Sequence, residues 1–263
     1  MLRMNQPIIT LTTDFGTKDG YVGAVKGVIK RINPDAEIID VTHEIEPFDV
    51  WGAAFTLNNF YRYFPQNTVH LVVVDPGVGS RRQALLIQTP DFIFIGPDNG
   101  VFSSILQNEE TAEIISISNK KYLLSKTSCT FHARDIFAPV AAYLSLGVDI
   151  REFGVPAVEC SKLFIPTAKV VKGCIVGEII HIDNFGNLIT NIDAISIQSK
   201  NIKGIEIKHE RIRKIANSYY DIPEEKIGAV IGSSGYLEIA TNQGNVAKLM
   251  KAGLGTKVKI NFE

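Results

Sequence analysis

Residues 8–42 read IITLTTDFGTKDGYVGAVKGVIKRINPDAEIIDVT, and the punctuation of that stretch decides the fold. Ile8 to Thr13 is an apolar, β-branched run, as expected of a strand buried on both faces. From Asp19 to Asn33 apolar residues recur at helical spacing, and the pattern stops at Asn33-Pro34, where proline ends a helix. Glu37 to Thr42 then reads as a second strand. The alternation continues outward: a helix over 49–64, a strand over 69–74, short strands at ALLIQT and FIFIG, and a helix from Ala133 to Leu146. Strands alternating with helices imply right-handed crossovers, hence an α/β fold with a doubly wound, mainly parallel sheet.

After Gly147 the texture changes. VDIREFGVPAVECSKLFIPTAKV has two prolines and no periodicity, so it reads as a connecting segment. Beyond it, CIVGEIIHID, NLITNID, IKGIEIKHE, AVIGSSGYLEIA and TKVKINF are short strands separated by turns, the pattern of a smaller all-β domain. The expected division is 1–165 and 166–263.

Bulk composition excludes several classes. With 27 basic and 28 acidic residues the chain has no surplus charge for a nucleic-acid backbone, and no basic cluster interleaves with aromatics. No 18-residue apolar stretch occurs, so no membrane partner is expected. Cys129, Cys160 and Cys174 are too dispersed for a CxxC pair or a disulfide framework, and the first apolar run is too short for a secretory signal. A cytoplasmic protein is the expectation. The five histidines form no HxxxH or HExxH pattern, so no metal site is expected.

In an open α/β sheet, ligands bind beyond the carboxyl ends of the strands. Asp14, Asp75 and Asp98 each follow a strand there. Each could accept both hydroxyls of a ribose diol, or merely cap the next turn. The loop Asp75-Pro-Gly-Val-Gly-Ser-Arg-Arg82 superficially resembles a phosphate cradle but lacks the Walker ending and the GxGxxG spacing. The alternative is a loop folded back so that an arginine pairs with Asp75. His132 opens the last α/β helix, while Arg134 and Asp135 read as packing residues. Asp183-Asn-Phe-Gly-Asn187 is either a β-turn or a set able to hold an amino-acid head group and stack on a base. The segment around Ser233 has the same ambiguity.

Seven stretches, TTDFGTKDGYVGAVKG, DVTHEIEPFDVWGAAF, VVVDPGVGSRR, GPDNGVFS, TFHARDIFAPVAAYLSLG, DNFGNLITNI and SSGYLEIATN, run in order from residue 12 to residue 242. Together they resemble the S-adenosyl-L-methionine (SAM) hydrolases, or SAM hydroxide adenosyltransferases, relatives of the fluorinase and chlorinase. The resemblance implies hydrolysis of SAM to adenosine and methionine, with SAM as substrate and no cofactor. It also implies a homotrimer with sites at subunit interfaces. By position, Asp14 would hold the ribose hydroxyls, with Asp19 nearby and Phe48 beside the sugar. Asp183 and Ser233 would bind the methionine amino and carboxylate groups. Phe185 and Asn187 would line the adenine, Asn242 would read its edge, and Glu238 would belong to the substrate wall. The halogenases of this group carry Tyr at the position of Asp75, and Tyr followed by Ser or Gly at His132-Ala133. The hydrolases carry an Asp, Arg and His set that matches Asp75, Arg82 and His132. Arg82 is chosen over Arg81 because the family's Asp-to-Arg spacing is seven. Rival readings are adenosyl transfer to halide, a non-catalytic adenosine or SAM sensor and, more remotely, a nucleotide phosphatase.

Overall fold

The computed structural model describes residues 8–111 and 113–263, which separate into two compact units divided between Leu163 and Phe164. In the first unit the order is β1 (Ile8–Thr13), α1 (Tyr21–Ile32), β2 (Glu37–Thr42), α2 (Val50–Phe60), β3 (Thr68–Val73), β4 (Ala84–Gln88), β5 (Phe92–Pro97), α3 (Ser103–Asn108), β6 (Glu113–Ile117), α4 (Ala138–Ser145) and β7 (Gly154–Pro156). The strands form one sheet, ordered β2-β1-β3-β5-β4-β6-β7. Its β2-β1-β3-β5 half is parallel; β4, β6 and β7 join antiparallel.

Period-two alternation explains the layering. Along β3, Leu71 and Val73 pack with Val25 and Ile29 of α1 and Val140 and Ala141 of α4. The intervening Val72, with Val74 just past the strand, packs with Ala53 and Leu57 of α2 and Ile105 of α3. Helices therefore cover both faces, as the sequence predicted. Asp14 and Asp75 leave the carboxyl ends of neighbouring parallel strands, where Thr13 lies opposite Val73.

Three expectations are corrected. The segment expected to be a helix over 49–64 ends at Phe60 and tightens into a 3₁₀ turn over Tyr61–Tyr63 ahead of Pro65. The helix expected from Ala133 opens as a π turn, Ala133–Phe137, closed by Ala138 N–H donating to Ala133 O. The stretch read as a connector contributes β7, which pairs with β6.

Buried His70 faces the α2 layer. Its Nδ1 lies 2.8 Å from Thr10 Oγ1, its Nε2 has no hydrogen-bond partner among the described residues, and the Phe94 ring stacks on it at 5.3 Å. Burial pushes its pKa down to about 3. The unfolded chain takes up a proton near the ordinary pKa of about 6.5 while the folded chain does not. Stability is therefore present above that value and lost as pH falls from about 6.5 toward 3, at roughly 1 kcal/mol per pH unit. Urea unfolding at pH 7 and pH 4.5 should show that slope, and His70→Gln should flatten it.

In the second unit β8 (Lys169–Val171), β9 (Cys174–Ile182), β10 (Leu188–Asp193), β11 (Ile202–Ile207), β12 (Glu210–Ile212), β13 (Ile215–Ala216), β14 (Ile227–Ile231), β15 (Tyr236–Thr241) and β16 (Lys257–Phe262) form one sheet. Its order is β12-β11-β16-β9-β10-β15-β14-β13, with β8 beside β9. The core is isoleucine-rich, including Ile175, Ile179, Ile205, Ile239 and Ile260. Two short helices, α5 (Ala194–Gln198) and α6 (Val246–Met250), interrupt what was expected to be all β, each with an N-cap side chain, Asp193 and Asn245. Among the described residues no helix is long and apolar enough to cross a membrane.

Candidate active site

In the first unit the loop after β3 folds back. Asp75 accepts from Arg82 Nε at 2.8 Å through Oδ1 and from Arg82 Nη2 through Oδ2, a bidentate pair whose side chains are 5 % and 8 % exposed. Of the two readings of this loop, the Asp–Arg pair is the one adopted. Gly79 makes the path possible: its φ is +78°, and a Cβ there would lie 2.3 Å from the Cys129 carbonyl oxygen. That close approach brings the loop against the segment leading to His132. Arg82 Nη2 lies 2.9 Å from His132 Nδ1. Arg81, the other candidate cation, is exposed.

The guanidinium has only donors, so Nδ1 of His132 accepts. The neutral ring therefore carries its proton on Nε2 and presents a donor. Burial first, and Arg82 second, push the His132 pKa below its ordinary value, against the opposing pull of Asp75 and Asp135. Asp75 keeps a free lone pair on each oxygen, since the fork uses one on each. One cluster thus offers an acceptor, a fixed cation and an N–H donor.

Asp14 Oδ2 accepts from Phe48 N at 2.9 Å, which leaves Oδ1 for a ligand. Phe48 adopts φ +69° and is 71 % exposed, unusual on both counts for a phenylalanine. Asp19 is exposed on the loop before α1. Asp98, read as a third ligand carboxylate, instead accepts from Ser161 N at 2.7 Å and fastens the chain beyond β7. Arg134 and Asp135 pair with each other, and Asp135 also accepts from Ser128 N, in keeping with a packing role.

In the second unit the Asp183–Asn187 segment is a turn in which Asp183 Oδ1 accepts from Phe185 N and Asn187 N, at 2.9 and 2.8 Å. Asn187 is buried and donates Nδ2 to Asp183 Oδ2 at 2.8 Å. The turn leaves the Phe185 ring 74 % exposed and one lone pair on Oδ2. Turn-former and ligand-holder are thus compatible roles for Asp183. Ser233 is exposed in the turn between β14 and β15. Asn242 donates to Ile222 O at 3.3 Å. Glu238 is buried and accepts from Tyr219 Oη at 2.6 Å. Burial raises the Glu238 pKa and the negative charge of Asp183 adds to it, with the Tyr219 bond opposing. Sequence reading missed Tyr219: nothing in SYYD marks one tyrosine as the partner of a glutamate nineteen residues later. Among the described residues no group of three His, Cys, Asp or Glu side chains is placed to hold a metal ion.

The comparisons agree along the chain. The SAM hydroxide adenosyltransferase N-terminal domain profile matches residues 9–154, and the C-terminal domain profile matches residues 177–259. The chain is 38 % identical to the (R)-S-adenosyl-L-methionine hydrolase of Methanocaldococcus jannaschii, covering 97 % of this chain and 96 % of that protein. It is 34 % identical to the enzyme of the same name from Salinispora tropica, over 97 % of each. Fluorinases are more distant, with that of Actinoplanes sp. 27 % identical over 96 % of this chain and 97 % of that one. The crystal structure of an uncharacterized conserved protein from Thermotoga maritima superposes with a TM-score of 0.89 at 37 % identity, covering 96 % of this chain and 99 % of that one. With both profiles matched and relatives alike over almost their entire length, the chain belongs to the SAM hydroxide adenosyltransferase family.

Proposed function

We propose that this chain hydrolyses S-adenosyl-L-methionine to adenosine and methionine by attack of water on the ribose C5′. The observation that carries the reading is the Asp75–Arg82–His132 cluster at the carboxyl edge of the sheet, in a chain whose relatives are named for this hydrolysis. Those names specify the (R) form of the substrate, which is the form expected to turn over faster here.

The C5′–S bond breaks with its electron pair going to sulfur, so methionine leaves as a neutral thioether and needs no general acid. The difficulty lies with the nucleophile. Water must be held behind C5′, in line with the sulfur, and kept from exchanging. Asp75 accepts one of its protons, and the Nε2–H of His132 donates to one lone pair, which leaves the other lone pair for carbon. Arg82 fixes both partners through one nitrogen. As the C5′–O bond forms, the water proton passes toward Asp75, the one acceptor in the cluster with a free lone pair. Near-attack positioning supplies roughly 7–11 kcal/mol, and positioned proton removal about 10²–10⁴-fold. Asp14 holds the ribose hydroxyls, with Asp19 and Phe48 beside it. Asp183 and Ser233 hold the methionine head group, Phe185 and Asn187 line the base, Asn242 reads its edge, and Glu238 belongs to the substrate wall. A homotrimer and a cytoplasmic location complete the proposal. The resemblance supports the first and the three free thiols the second. Light scattering that returned the 29.0 kDa mass of one chain would exclude the trimer.

Chromatography after incubation with SAM, with and without chloride or fluoride, tests the reaction. Adenosine and methionine in equal amounts, unaffected by halide, are expected. A 5′-halogenated nucleoside would favour the halogenase reading, and intact SAM beside stoichiometric protein the sensor. Gly79→Ala should cost about 1–2 kcal/mol of stability through the left-handed backbone. It should also lower kcat by up to about 10²-fold by pushing the Arg82 loop off the His132 segment; thermal melts and initial rates measure the two effects.

A further inference from the structure

Four histidines lie outside the cluster just described, and one of them joins the two loops that bring Asp14 and Phe48 together. His43 is 6 % exposed. Its Nδ1 is 2.8 Å from Thr13 Oγ1, and its Nε2 lies 3.1 Å from Asp40 Oδ1, at an angle too bent for a full hydrogen bond. Asp40 in turn accepts from Lys26 Nζ at 2.5 Å. Thr13 Oγ1 accepts from Phe15 N at 3.3 Å, so its hydroxyl proton is free to go to His43 Nδ1. The neutral ring then carries its proton on Nε2, the nitrogen 3.1 Å from Asp40 Oδ1. Partial burial pushes the Asp40 pKa up, but the bond from Lys26 and the neighbouring His43 ring outweigh it and hold the carboxyl below its ordinary value.

The backbone around this ring is stitched as well. Gly16 N donates to His43 O at 2.8 Å, and Ile45 N to Thr13 O at 3.4 Å. A register shift between Leu11 and Thr12 skips Val41 in the β1–β2 pairing, two residues before His43. Such irregularities re-aim the side chains that follow. The hydroxyl that His43 grips belongs to the residue before Asp14 and also caps the amide of the residue after it.

We propose that His43 is a positioning residue for SAM. Seated between Thr13 and Asp40, its ring locks the Thr13 hydroxyl and thereby the turn that aims Asp14 at the ribose. The inference rests on the reading of Asp14 as the ribose acceptor. Amide replacements separate the two sides of the ring. In His43→Asn the amide oxygen takes the place of Nδ1 and keeps Thr13 satisfied. In His43→Gln the amide reaches toward Asp40 and leaves Thr13 unpaired. Thr13→Val removes the hydroxyl at nearly constant volume, and it carries the test should a His43 variant fail to fold.

Initial rates on SAM and calorimetric titration with adenosine are the readouts. His43→Gln and Thr13→Val should each raise KM and the adenosine Kd by about 3–10-fold, the worth of one hydrogen bond. Their kcat should stay within about twofold of the parent, and His43→Asn should restore KM to within about twofold. A purely structural role would lower the melting temperature without this split or this rescue. Unchanged KM in His43→Gln and Thr13→Val, or His43→Asn as impaired as His43→Gln, overturns the proposal. Asp14→Asn separates it from the reading beneath it. If Asp14→Asn binds adenosine like the parent, the ribose assignment itself falls. If Asp14→Asn binds weakly while the other two bind normally, only the role of His43 falls.

Discussion

Asp75→Ala and His132→Ala are each expected to lower kcat on S-adenosyl-L-methionine by about 10²–10⁴-fold, the range of positioned proton transfer. Adenosine affinity should change by less than about threefold, because neither group is needed to hold the nucleoside. The expectation follows from the shared guanidinium. Arg82 donates to Asp75 from two nitrogens and to His132 from one of the same two, so loss of either partner removes one of the two contacts that orient water. Arg82→Lys should be nearly as damaging, since an ammonium cannot reproduce the fork. The pH profile adds a check on the ring. His132 works as the neutral donor, and burial followed by Arg82 depresses its pKa. Hence kcat/KM should stay flat on descending through the ordinary histidine range and fall only below it. Near-normal turnover in both alanine variants would remove the assignment.

Asp14→Ala is expected to weaken adenosine by about 10²-fold, as loss of two hydrogen bonds to a charged acceptor would. Oδ2 of Asp14 is occupied by Phe48 N, and among the described residues no hydrogen bond to Oδ1 is formed, so the carboxylate is anchored at one end and available at the other. The effect should fall mainly on KM and on the adenosine Kd measured by calorimetry, with a smaller loss in kcat at saturation. Asp14→Asn keeps an oxygen for Phe48 N but loses the anion, and should lie between the parent and Asp14→Ala. Equal adenosine affinity in all three proteins would mean that the ribose is held elsewhere.

The parallel half of the sheet was legible because IITLTT and VHLVVV are too apolar and β-branched to be anything but doubly covered strands. The π turn after His132 was not legible: FHARDIFAPV has ordinary helical spacing, and the extra residue shows only when Ala138 N–H bonds to Ala133 O. β7 was hidden in the proline-bearing connector, because a three-residue edge strand leaves no periodicity to detect. At the site, Asp75 was visible as a carboxylate after a strand, whereas the choice of Arg82 over Arg81 came from the resemblance and not from the chemistry of the loop. Asp98 looked the same as Asp14 in sequence, and only its bond to Ser161 N, sixty-three residues away, separates them. His43 and Tyr219 share that limitation. Both act through partners brought together by the fold, and a single chain carries no local signal of such pairing.

In the proposed reaction water, and no other nucleophile, attacks C5′. Turnover of S-adenosyl-L-methionine in water enriched in oxygen-18, followed by mass spectrometry of both products, addresses it directly. The label should appear in the adenosine 5′-hydroxyl, at the enrichment of the solvent, and be absent from methionine. Unlabelled adenosine, or label carried by methionine, would contradict the claim.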